Sequence, residues 1–99
     1  MKPEPDSSIV IFGLGTVGLT ALMAAKYLGV KRIIGVDIFD HKMPLAKELG
    51  ATDTVNSKSV DDIVKHIKDL TDGGVDYAVD CTGVPAVIEN MLKIGRAHV

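Results

Sequence analysis

The sequence predicts an α/β fold in which a parallel sheet carries helices on both faces. Two observations predict it. Short β-branched runs alternate with longer segments of helical period, and the runs are apolar throughout rather than alternating with polar residues. A strand covered on both faces reads this way, because neither side of its pleat meets water.

The elements follow in order. Residues 1–7 begin polar and proline-rich and serve as a lead-in. Ser8-Ile9-Val10-Ile11-Phe12 is the first strand and stops at Gly13. A helix from Thr16 to Leu28 is predicted to bury Val17, Ala21, Ala24 and Leu28, with Gly29 as its stop. Arg32 to Val36 is the second strand, ending at Asp37. Met43 to Leu49 is helical, with Leu45, Ala46 and Leu49 as its apolar face and Gly50 after it. Thr52 to Val55 is a short third strand. From Ser59 to Leu70, the stripe Val60, Ile63, Val64, Ile67 and Leu70 predicts a helix capped by Ser59. Val75 to Asp80 is the fourth strand, and a last helix is expected to start near Pro85. Right-handed crossovers between parallel strands then lead to sheet order 3-2-1-4.

Composition excludes several roles. The 99 residues suit one domain, and 46% hydrophobic with 24% charged residues describes a globular protein. A net charge of −2 and four aromatics without Trp leave neither the positive field nor the stacking platforms of a nucleic-acid binder. No apolar stretch approaches the ~20 residues of a membrane span. One cysteine, Cys81, excludes an internal disulfide, and a cytoplasmic location is expected.

Gly13-Leu14-Gly15-Thr16-Val17-Gly18 is G-x-G-x-x-G. It follows a strand at once and opens a helix, and Asp37 lies 19 residues past Gly18 at the end of the next strand. That is the context of a Rossmann-type dinucleotide site. Gly13 permits the turn, Gly15 lets backbone approach a pyrophosphate, and Gly18 lets helix pack on sheet. The amides near Thr16 and Val17 face the anion with the helix dipole behind them.

Asp37 selects the cofactor. Its carboxylate is expected to accept both adenosine ribose hydroxyls, each bond contributing roughly 1.5–3 kcal/mol. A 2′-phosphate in that place would cost about 4 kcal/mol per unit-charge pair at 4 Å. NAD is therefore favoured over NADP. Ile38 is placed to cover the adenine. Lys42 either reaches the ribose or is a solvated helix-start lysine. Thr82-Gly83-Val84 is either a plain loop or the lining of the nicotinamide half.

The runs from Ile11 to Leu19, Ile33 to Asp37, Leu45 to Thr52 and Gly73 to Gly83 together resemble the zinc-dependent medium-chain dehydrogenases, the alcohol dehydrogenase family. The resemblance spans residues 8 to about 92 and looks closest to the alcohol or aryl-alcohol branch. It implies that Gly13, Gly15 and Gly18 form the pyrophosphate turn and that Thr16 and Val17 supply amides. It also implies that Asp37 and Lys42 hold the ribose, Ile38 flanks the adenine, and Thr82, Gly83 and Val84 line the nicotinamide side. The implied reaction is reversible hydride transfer from an alcohol to NAD, with zinc as Lewis acid in the parent enzyme.

The resemblance places the family's zinc ligands in a preceding catalytic domain, which this segment does not include. Cys81 reads as a small buried hydrophobe, and His41, His66 and His98 are scattered. No catalytic or metal-binding residue is therefore assigned, and the segment is expected to be inactive alone. Its expected partners are the cofactor and the catalytic domain, with the parent a homo-oligomer. A rival role is a non-catalytic NAD-sensing regulatory module, which would bind the same nucleotide.

Residues 8–93 thus read as a partial dinucleotide-binding domain, truncated to four strands of an expected six. Residues 94–99, Ile-Gly-Arg-Ala-His-Val, are what a common sequencing-adapter DNA yields in one reading frame, and they are expected to be a non-native tail. On that reading the fourth strand is an open edge, with marginal stability and weakened cofactor binding as the result.

Overall fold

A computed structural model describes residues 7–71, 73–82 and 93–98. Its strands are β1 (Ser8–Phe12), β2 (Arg32–Asp37), β3 (Asp53–Asn56), β4 (Val75–Asp80) and β5 (Gly95–His98). The helices are α1 (Thr16–Tyr27), α2 (Met43–Leu49) and α3 (Ile63–Leu70), with a 3-10 turn at Asp40–Lys42 before α2. The sheet runs β3-β2-β1-β4-β5, every pair parallel. The expected order 3-2-1-4 is therefore observed.

The pleat explains why continuous apolar runs build this sheet. Successive side chains alternate between its faces. Ile9, Ile11 and Ile33 turn to one side, where Leu22 and Ala25 of α1 and Ala46 of α2 cover them. Val10, Phe12, Ile34 and Val36 turn to the other, where Ile67 of α3 is buried and Ile63, Val64 and Leu70 pack beside it. Helices lie on both faces, as expected.

Four details correct the sequence reading. In α1 the buried positions are Gly18, Leu22 and Ala25, while Val17, Ala24 and Leu28 are exposed. This helix is apolar on nearly every side, so periodicity could not choose its buried face. The close seat of Gly18 on the turn chose it. In α2, Ala46 is buried but Leu45 is exposed.

α3 is capped by Asp62, whose Oδ1 accepts the Lys65 N–H at 3.1 Å, and not by Ser59. Ser59 is occupied earlier: its N–H donates to the Asn56 carbonyl, while Asn56 Oδ1 accepts the Lys58 N–H. That local turn delays the helix start.

The fourth correction is at the sheet edge. β4, expected to be an open edge, is paired by residues 95–98 as β5, with Val75 opposite Gly95 and Ala78 opposite His98. Ile94 enters the core at 4% exposure. Unpaired strand edges carry unsatisfied backbone groups, and a short extended segment satisfies them on β4. The helix predicted from Pro85 lies outside the described residues. Among the described residues no helix is long and apolar enough to cross a membrane.

Candidate functional site

The site forms where β1, β2, β3 and β4 end together, the place at which open α/β sheets hold ligands. The chain leaves β1 through Gly13, whose φ of +94° is a backbone region that other residues rarely adopt. The Gly13 N–H donates to the Val36 carbonyl at 2.8 Å, tying the turn to β2. Leu14 then folds inward to 1% exposure, and Gly35 of β2 leaves the room it fills. A Cβ on Gly18 would stand 1.6 Å from the Gly13 carbonyl oxygen, so α1 can start this close to the strand only with glycine there.

Gly15 differs from both. Its φ of −77° suits any residue, and a Cβ there would meet nothing within 4 Å among the described residues. It caps α1 without a side-chain hydrogen bond, and no acidic residue sits in the helix's first turn. Among the described residues no side chain accepts from the first-turn amides, which carry the positive end of the helix dipole.

A cavity of about 460 Å³ opens beside this turn. Of the residues singled out on sequence, Gly13, Gly15, Asp37, Ile38, Lys42 and Thr82 line it. Thr16 lines an adjoining hollow that shares Gly15 and Lys42. Gly18 lines neither, being packed into the turn, and Val17 lines neither, standing 69% exposed at the start of the helix. Gly83 and Val84 lie outside the described residues.

Asp37 is nearly enclosed, its side chain 8% exposed. Its Oδ2 accepts the Leu14 N–H at 2.7 Å, and its Oδ1 accepts those of Ile38 and Phe39 at 2.7 and 3.1 Å. The Lys42 Nζ stands 3.9 Å from Oδ2. Burial alone would raise the carboxyl's pKa. The Leu14, Phe39 and Ile38 amides, with the Lys42 charge, outweigh burial and hold it below its ordinary value. A carboxylate offers about four lone-pair sites. Three are taken by these backbone amides.

A family model described as zinc-binding dehydrogenase matches residues 16–98. The chain belongs to the zinc-binding dehydrogenase family.

Similar members include alcohol dehydrogenase 1 of Trifolium repens, 52% identical over 83% of this chain and 22% of that protein. Alcohol dehydrogenase class-3 of Pisum sativum is 46% identical over 93% of this chain and 25% of that protein. The crystal structure of benzyl alcohol dehydrogenase from Acinetobacter calcoaceticus superposes with a TM-score of 0.88 at 45% identity, covering 96% of this chain and 27% of that one. The chain thus spans about a quarter of the length of the zinc-binding dehydrogenase relatives it matches.

Among the described residues no group of three or more His, Cys, Asp or Glu could hold a metal ion.

Phe12, Val36, Phe39, Ser57 and Cys81 also line the cavity and were not anticipated as site residues. The signal available was position: Ser57 and Cys81 are the first residues after β3 and β4, where strand ends converge. Cys81 is half-buried and packs beside the α1 face of the core, less enclosed than its reading as a buried hydrophobe. Burial, and then the Asp80 charge, raise its thiol pKa. Thr82 is held by Asp80, whose Oδ1 accepts both its N–H and its hydroxyl at 2.7 and 2.6 Å.

Proposed function

We propose that this chain is the NAD(H)-binding portion of an alcohol dehydrogenase-type oxidoreductase that transfers hydride between an alcohol and NAD. One observation carries it: Gly15 lacks a side chain at a position where neither backbone conformation nor packing among the described residues demands glycine. The open space beside it, next to the first-turn amides of α1, fits a pyrophosphate. When bound, the nicotinamide supplies the hydride acceptor or donor.

The chain's own residues bind and orient. Gly13 shapes the turn, and the Thr16 and Val17 amides meet the anion. Asp37, with one acceptor site remaining, takes a ribose hydroxyl beside Lys42. Ile38 lies against the adenine. Thr82, with Gly83 and Val84, flanks the nicotinamide half. The parent's remaining length supplies the alcohol site and zinc. In this role the protein works in the cytoplasm, which its single cysteine supports, and its parent enzyme is a homo-oligomer.

Titration with NADH, followed by nicotinamide fluorescence, tests the proposal. Saturable NADH binding is expected, with NADPH about tenfold or more weaker because its 2′-phosphate meets Asp37. A folded chain that does not bind NADH overturns it.

A further inference from the structure

Phe39 borders the same cavity as Asp37 and Lys42, yet the residue stays 47% exposed. Core packing gives little reason for a phenyl group there. Its neighbour does. The Lys42 ammonium stands 5.6 Å from the ring centroid, within reach of cation–π attraction. The same ammonium is 3.9 Å from Asp37 Oδ2. The backbone adds a third restraint, since the Lys42 N–H donates to the Phe39 carbonyl at 3.3 Å. The turn bearing both residues is tied to the end of β3, where Asn56 Nδ2 donates to Asp40 Oδ1 at 2.8 Å. A lysine side chain ordinarily samples many rotamers. This one is confined between a ring and a carboxylate.

We propose that Phe39 is a positioning residue of the adenosine end of the site: its ring holds the Lys42 ammonium beside Asp37, ready for the ribose oxygens of a dinucleotide. The inference rests on the NAD(H)-binding role proposed above. Phe39 acts through Lys42 and does not itself bond the cofactor.

A double-mutant cycle on the whole chain tests it, with NADH dissociation constants measured for wild type, Phe39→Leu, Phe39→Tyr, Lys42→Met and Phe39→Leu/Lys42→Met. Phe39→Leu is expected to weaken binding about threefold to fivefold, the size of an exposed cation–π contact. Phe39→Tyr restores wild-type affinity, because the aromatic face is kept. On the Lys42→Met background, Phe39→Leu changes nothing further. A loss that persists undiminished on that background overturns the inference, since the ring would then be touching the cofactor directly. Unchanged affinity in Phe39→Leu also overturns it. Phe39→Met is run alongside, so that a folding failure in one variant leaves the other to decide. Wild-type chain that fails to bind NADH defeats the binding role itself, an outcome distinct from any difference among the variants.

Discussion

The Asp37 carboxylate accepts the Leu14 N–H at 2.7 Å, so the acid that ends β2 also pins the middle of the glycine turn. In the proposed NAD(H)-binding role, cofactor choice and turn geometry are both carried by this one side chain. Asp37→Asn should disturb both. Loss of a charged acceptor for a partly buried amide costs about 1–3 kcal/mol. Thermal or urea unfolding should show that loss, and NADH titration should show the preference over NADPH narrowing. An unchanged melt would mean that the turn holds its shape without the acid.

Acid should weaken the fold through the same group. The Asp37 carboxyl titrates below its ordinary value when folded. Its contribution is thus complete above the unfolded aspartate pKa of about 3.9, and it is lost as pH falls through the lower folded value. Melts between neutral pH and about pH 3 should fall more steeply for wild type than for Asp37→Asn. Parallel acid curves would show that Asp37 is not the group responsible.

Gly15 and Gly18 should separate binding from folding. A methyl on Gly18 meets the Gly13 carbonyl at 1.6 Å, so Gly18→Ala should destabilise the chain by about 2 kcal/mol or more. A methyl on Gly15 meets nothing within 4 Å among the described residues. Gly15→Ala should leave the melt within about 0.5 kcal/mol of wild type while sharply weakening NADH binding. Equal NADH affinity in Gly15→Ala would remove the pyrophosphate from that space.

Cys81 should react slowly with iodoacetamide near pH 7, because burial and the Asp80 charge keep the thiol protonated. The rate should rise with pH beyond the range of an ordinary thiol, about 8.5. Saturating NADH should slow labelling further, since Cys81 lines the cavity. A rate matching free cysteine, indifferent to NADH, would contradict both points.

Much of the architecture was legible in the chain. The first, second and fourth strands were read closely, and the third within one residue, because apolar runs bounded by glycine report locally on burial. The glycine turn and Asp37 were legible for the same reason: their spacing is set by one strand, one turn and one helix. The start of α3 was misread because Asn56 organises a turn that the helical stripe cannot reveal. Ser57 and Cys81 were missed because neither carries a motif. Only the convergence of β3 and β4 on the turn brings them to the cavity.

Periodicity and spacing were enough to determine the alternation of strands and helices, their order in the sheet, and which end of that sheet bears the glycine turn and the acid. Each of these depends on residues near one another along the chain. The tertiary structure decided which side of α1 is buried, that β5 covers the edge of β4, and that three amides occupy most of the Asp37 carboxylate. It also decided that Lys42 lies between that acid and the Phe39 ring. Those facts arise from shape and hydrogen-bond competition among segments brought together by folding, and no local pattern records them.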